Sequence, residues 1–164
     1  RRSSDLNMRL YRNENDLKKD SRLNHLLNQR KAPLSEEGMR LALTDLTLYL
    51  TNDIEFAGAV YLKNTEGNLT LADLDKADMM EGTDGERYLP VFTDIEELKK
   101  FKPEMKPGES LCLFDKQDLL DFLNGNEKVA AIVVNPMNDD LLLYRVQLSN
   151  MISLAKQKSA GTAA

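Results

Sequence analysis

Hydrophobic positions change their period twice along this chain. In the first thirty residues Leu6, Leu10, Leu17, Leu23, Leu26 and Leu27 stand among polar neighbours at spacings a helix can accommodate. The phase slips between Leu17 and Leu23, which predicts a break or two short helices. Pro33 closes this segment, because the residue before a proline is steered away from helical geometry. A stronger helix comes next. Ser35 fits an N-cap, Glu36 and Glu37 suit the positive end of the helix dipole, and Leu34 can staple onto Met39. Met39, Leu43, Leu46 and Leu50 are predicted to form the buried stripe, with Leu41 and Leu48 beside it and an end near 51–53.

From Phe56 the pattern turns strand-like. Ala59 to Leu62 and Leu69 to Leu71 flank a glycine-containing loop and are predicted to pair as a hairpin. Ala77 to Met80 is expected opposite Arg87 to Phe92, turned through Asp84-Gly85, a step suited to positive φ. Pro90 has no N–H, so it must lie at an edge or a bulge. Thr93 to Glu96 reads as a capping box for a helix to Phe101. Beyond it lie a short strand at 110–114, a helix capped by Asp115 and ended by Gly125, and the β-branched strand Val129 to Val134. A last strand at 140–146 and a helix at 149–156 complete the reading.

Strand–helix–strand–helix–strand order across 87–134 predicts right-handed crossovers and locally parallel strands. The fold class expected is α+β with an α/β-like second half: a mixed β-sheet with flanking helices, preceded by an N-terminal helical arm. The arm spans 1–32, the main domain 33–157, and a mobile tail 158–164.

Composition narrows the function. Nine Lys/Arg against four Asp/Glu give residues 1–31 a charge of +5, whereas thirteen against twenty-three give the remainder −10. An acidic body repels phosphate backbones, so no nucleic-acid binding is expected. The basic arm suits either an acidic partner or the acidic face of its own domain, and its leucines could dock internally or form a homodimer. The longest strongly apolar stretch, Leu41 to Leu50, is too short and too polar to span a bilayer, so no membrane role is expected. A single cysteine and no signal-like segment place the chain in a reducing cytoplasm. It opens on Arg1, not Met, which reads as a fragment or a processed form.

Candidate chemistry is sparse. His25 is the only histidine and lies in the polar arm, so it is expected to be a solvent-exposed helical residue. Cys112 has acidic neighbours in sequence, Glu109 and Asp115, and is expected to act as a small buried apolar residue. One histidine and one cysteine do not make a structural zinc site. The acidic run Asp73, Asp75, Asp78, Glu81, Asp84 and Glu86 lacks the spacing of a calcium loop and reads as a solvated loop. Eight glycines form no phosphate-binding fingerprint, and no Gly-x-Ser-x-Gly elbow occurs. No catalytic residue, metal or cofactor is therefore expected. Thr93 and Asn135-Pro136 each come just after a predicted strand end, where sheets with parallel crossovers bind ligands. Those three residues are the candidate binding surface; the alternative is a cap at Thr93 and a turn at Asn135-Pro136.

The stretch Asp84-Gly85-Glu86-Arg87-Tyr88-Leu89-Pro90-Val91-Phe92-Thr93-Asp94, with its helix to Phe101, resembles the SseB N-terminal domain. Likeness continues through Leu119 to Leu123 and Val129 to Pro136, covering roughly 56–157. That family is named for enhanced serine sensitivity. The resemblance implies an α/β fold and brings no catalytic residues. The first reading is a non-enzymatic, cytoplasmic, bacterial-type interaction or regulatory module on an SseB-like fold, meeting a protein partner near Thr93 and Asn135-Pro136 or on the acidic loop 73–86. The family name alone supports an alternative: a small-molecule sensor or an enzyme linked to serine or sulfur metabolism.

Overall fold

A computed structural model describes residues 8–163, apart from the side chains of residues 162 and 163. Leu6 and the last residue, Ala164, lie outside the described residues. Chain order is β1 (Arg9–Leu10), α1 (Ser21–Gln29), α2 (Glu36–Leu50), β2 (Phe56–Leu62), β3 (Leu74–Ala77), β4 (Met80–Glu81), β5 (Arg87–Val91), α3 (Ile95–Phe101), β6 (Glu109–Phe114), α4 (Lys116–Gly125), β7 (Val129–Val134), β8 (Leu141–Leu143) and α5 (Arg145–Ala163). A turn of 3₁₀ helix at Leu71–Asp73 precedes β3. The expected α+β class is the observed one.

The strands form two four-stranded sheets, ordered β1-β6-β2-β3 and β4-β5-β7-β8. Every pairing in the first is antiparallel. In the second, β5 and β7 run parallel while β4 and β8 flank them antiparallel. One antiparallel bridge, Ala57 to Phe92, ties the start of β2 to the end of β5. Both of its hydrogen bonds measure 2.8 Å.

This corrects the crossover reading. The parallel pair exists, but the intervening β6 lies in the other sheet, antiparallel to β2. Its alternation is not one-sided: Cys112, Leu113 and Phe114 are all buried, so both faces of β6 pack. The first hairpin is also different. Residues 69–71 are no strand; β2 pairs with Leu74–Ala77, while Leu69 bridges Met8. Of the strand expected at Ala77 to Met80, Met80 does pair with β5, together with Glu81 and through a turn with Gly85 at φ 81°, but Ala77 belongs to β3 and pairs with β2. Pairing with β4 stops at Tyr88, so Pro90 sits where β5 has no neighbour on that side.

One core gathers both sheets and four of the helices. Phe56, Val60, Leu89, Val91, Cys112, Phe114, Ile132 and Val134 come from strands, and Leu26, Leu27, Leu46, Leu50, Leu119, Leu123 and Leu148 from α1, α2, α4 and α5. On the opposite face of the second sheet, Tyr88, Ala131 and Val133 form a smaller cluster. The arm is thus part of the fold. Its first element among the described residues is a strand paired to β6, and Leu23, Leu26 and Leu27 of α1 are spent on the chain's own core.

The stripe on α2 is rotated from the expected one. Ala42, Leu46 and Leu50 are buried, whereas Leu41, Leu43 and Leu48 face solvent. Leucine or methionine occupies six of its positions, so pattern alone does not fix the phase; packing on α1 and α5 does. Local caps were more legible. Ser35 accepts from the Gly38 amide, and Asp115 and Asp118 form a reciprocal capping box. At α3 the cap is Asp94, which accepts from Glu97 N, and not Thr93. Gly125 is the last residue of α4 and does not adopt positive φ. The final helix begins four residues earlier than expected and continues through the predicted tail to Ala163.

Candidate functional site

The parallel strands β5 and β7 end side by side, and one side chain joins the two segments that leave them. Asn135 exits β7 at φ 50°, a left-handed conformation that asparagine tolerates better than most residues. Its amide donates to Val91 O (2.9 Å), and its carbonyl accepts from the amides of Asn138 (3.0 Å) and Asp140 (2.9 Å). Oδ1 of Asn135 accepts from Thr93 N at 3.0 Å. Nδ2 donates to Thr93 Oγ1 at 2.9 Å and to Asp139 Oδ2 at 2.7 Å. The sequence-predicted Thr93 and Asn135 therefore do meet, in direct hydrogen bonds. Both are buried, at 4% and 1% exposure, while Pro136 is half-buried. Next to Pro136, Met137 stands 62% exposed at the tip of this pinned loop.

Charged groups missed by the sequence reading close the junction from two sides. Lys31, just past α1, pairs with Asp139 Oδ1 at 2.5 Å and donates to Asn138 Oδ1 at 2.7 Å. Arg30 donates to the Asp139 carbonyl. From α3, Glu97 Oε1 accepts from Lys100 (2.8 Å) and from Asn138 Nδ2 (3.0 Å). Its Oε2 is buried without a hydrogen bond. Asp94, Glu97 and Asp139 are thus three buried carboxylates, each held by an N–H or an ammonium. Among the described residues, no three ligating side chains are grouped so as to hold a metal ion. Lys31 lies more than sixty residues from Thr93, and no local pattern announces it.

The acidic run is partly built into the fold. Asp73 caps its own turn by accepting from Thr70 N at 2.9 Å. Asp78 pairs with Lys106 at 2.6 Å, which holds its carboxyl below the usual range. Asp84 accepts the Tyr88 hydroxyl at 2.6 Å; that bond keeps the carboxyl low and pushes the phenol up to about 12. Cys112 is fully buried, and burial pushes its thiol up to about 12. A thiol in that state is protonated at neutral pH and is a poor nucleophile. His25 is exposed on α1.

A second concavity lies elsewhere. A cleft of about 910 Å³ opens between α5, β1, the α2–β2 turn and the start of α4. Leu10, Ile54, Leu69 and Ile152 give it apolar walls, and Arg12, Lys116 and Lys156 bring cations. Lys116, the first residue of α4, is 8% exposed, and its Nζ donates to Asn52 O at 2.5 Å. Loss of solvent lowers its pKa, against the attraction of Asp53 and Asp115. Segments that are distant in sequence build this cleft, so no motif marks it.

The comparisons with known proteins agree with the resemblance. No curated protein and no solved structure matches the chain. A family model described as the SseB protein N-terminal domain matches residues 60–148, from β2 into α5. That span takes in the strand-end junction and more than half of the sequence. The chain belongs to the SseB family.

Proposed function

We propose that this SseB-family chain is a non-catalytic interaction or regulatory module of the cytoplasm. It engages a protein partner through the loop that Thr93, Asn135 and Pro136 hold in place. The observation that carries this reading is the contrast between Asn135 and Met137. Asn135 is locked by hydrogen bonds to Thr93, Val91 and Asp139, while two residues on a large apolar side chain is held out in solvent. A rigid loop presenting such a group loses little entropy on binding, which favours its use as an interface anchor.

The polar groups at the strand ends support the same reading. They serve one another and not an open crevice, so they fix a shape. A photo-crosslinking residue placed at Met137 is expected to yield a discrete protein adduct in cells. The same residue at Val146, which is equally exposed on α5, is expected not to. Identical adduct patterns from both positions would remove the reading.

A further inference from the structure

Lys116 is an ammonium that the fold buries with no carboxylate close enough for an ion pair among the described residues, although Asp53 and Asp115 attract it from farther away. Its one hydrogen bond is to the Asn52 carbonyl, and it makes no ion pair within 4 Å among the described residues. Burying a charge without a counter-charge costs stability, and an arriving anion removes that cost. The carboxylates nearby are partly committed. Glu55 is held by Arg9 at 2.6 Å and Asp115 caps α4, while Asp53 stays exposed in the cleft lining and makes no ion pair with Lys116. The side chains of Arg12 and Lys156, at the rim of the same cleft, make no hydrogen bond or ion pair among the described residues. Lys116 and Gln117 also open a ten-residue helix, whose first amides lack intrahelical acceptors.

The rest of the cleft selects for an apolar body. Leu10, Ile54, Leu69 and Ile152 line it, and its size lies within the range of small-molecule sites, about 300–1,000 Å³. We propose that this cleft binds a small organic carboxylate with an aliphatic body, its head set against Lys116 and its chain along Ile54 and Ile152. Arg12 and Lys156 steer the anion in. The site is separate from the Met137 loop, so its fate and that of the partner-binding reading are decided independently.

Hexanoate and hexylamine are the probes, titrated into the full chain and followed by calorimetry and by the NMR methyl signals of Ile54, Ile152 and Met137. Hexanoate is expected to bind and to move Ile54 and Ile152 but not Met137; hexylamine is expected not to bind. Lys116→Met should weaken hexanoate about tenfold or more, the usual loss for a charge-assisted hydrogen bond. Arg12→Gln with Lys156→Gln alters only exposed side chains; it should weaken binding a few-fold and flatten its salt dependence. That double variant decides the matter if Lys116→Met does not fold. No saturable binding, equal binding of hexylamine, movement of Met137 alone, or wild-type affinity in the folded variants would each overturn the site.

Discussion

Replacing Asn135 with alanine tests the junction most directly. The substitution removes three side-chain hydrogen bonds at once: from Thr93 N, to Thr93 Oγ1 and to Asp139 Oδ2. The Thr93 amide is left buried without an acceptor, which costs about 1–3 kcal/mol, and Asp139 loses one of its donors at a similar cost. Lys31 still faces Asp139 Oδ1, and Thr93 Oγ1 still reaches Asp94 at 3.4 Å, so the loss is not total. Holding alanine at φ 50° adds about 1 kcal/mol.

The expected sum is about 4 kcal/mol, a large part of a typical domain stability of 5–15 kcal/mol. Because the chain has no tryptophan, urea unfolding is best followed by circular dichroism. With an m-value near 2 kcal/mol per molar, the midpoint should fall by about 2 M. Asn135→Gly relieves the backbone but not the polar loss, so it should recover no more than about 1 kcal/mol of the deficit. An alanine variant within about 1 kcal/mol of the parent, at unchanged m-value, would refute a closed network.

Four other outcomes are expected. The Cys112 thiol should resist alkylation in the native protein and react only as fast as the chain opens, measured with a coloured disulfide reagent at pH 8. Its raised native pKa means that above pH 9 the unfolded chain loses the proton first. Stability should therefore fall toward pH 12, by at most about 1.4 kcal/mol per pH unit, and Cys112→Ala should flatten that decline in urea titrations. Gly58→Ala puts a Cβ 2.9 Å from the Phe114 ring in the core; about 1–3 kcal/mol of destabilisation is expected in thermal melts, and a neutral result would show that the ring has room to move. Absorbance titration should find one tyrosine ionising near pH 12, and Asp84→Asn should bring it down toward 10.

What could be read from the sequence was what neighbouring residues decide among themselves. Ser35, Asp115 and the Gly85 turn depend on groups two to three positions away, and each stands where the pattern put it. Thr93 was expected to cap α3, but its amide is claimed by Asn135, 42 residues on, and Asp94 takes the cap. The α2 stripe failed for a related reason: leucines at 41, 43, 46, 48 and 50 satisfy two faces, and only distant helices choose between them. Strand β6 was recognised but assigned to the wrong sheet, since periodicity gives a strand's faces and not its neighbours. At the candidate site, the meeting of Thr93 and Asn135 was legible from strand ends. Lys31, Glu97 and the whole Lys116 cleft were not, being assembled from far-apart stretches.

The interleaving of the two sheets bears on how this protein is made. Strands β1 and β2 share β6 as a neighbour, and β5 lies against β7, so each sheet has a strand that emerges late in synthesis. A nascent chain that has released β5 must carry it without its parallel partner until residue 134 has been added. The first sheet likewise waits for residue 114. Such distant pairings slow folding and leave apolar edges open for longer. A ribosome stalled between these points would hold a half-zipped intermediate, and a chaperone that shields strand edges should be found there.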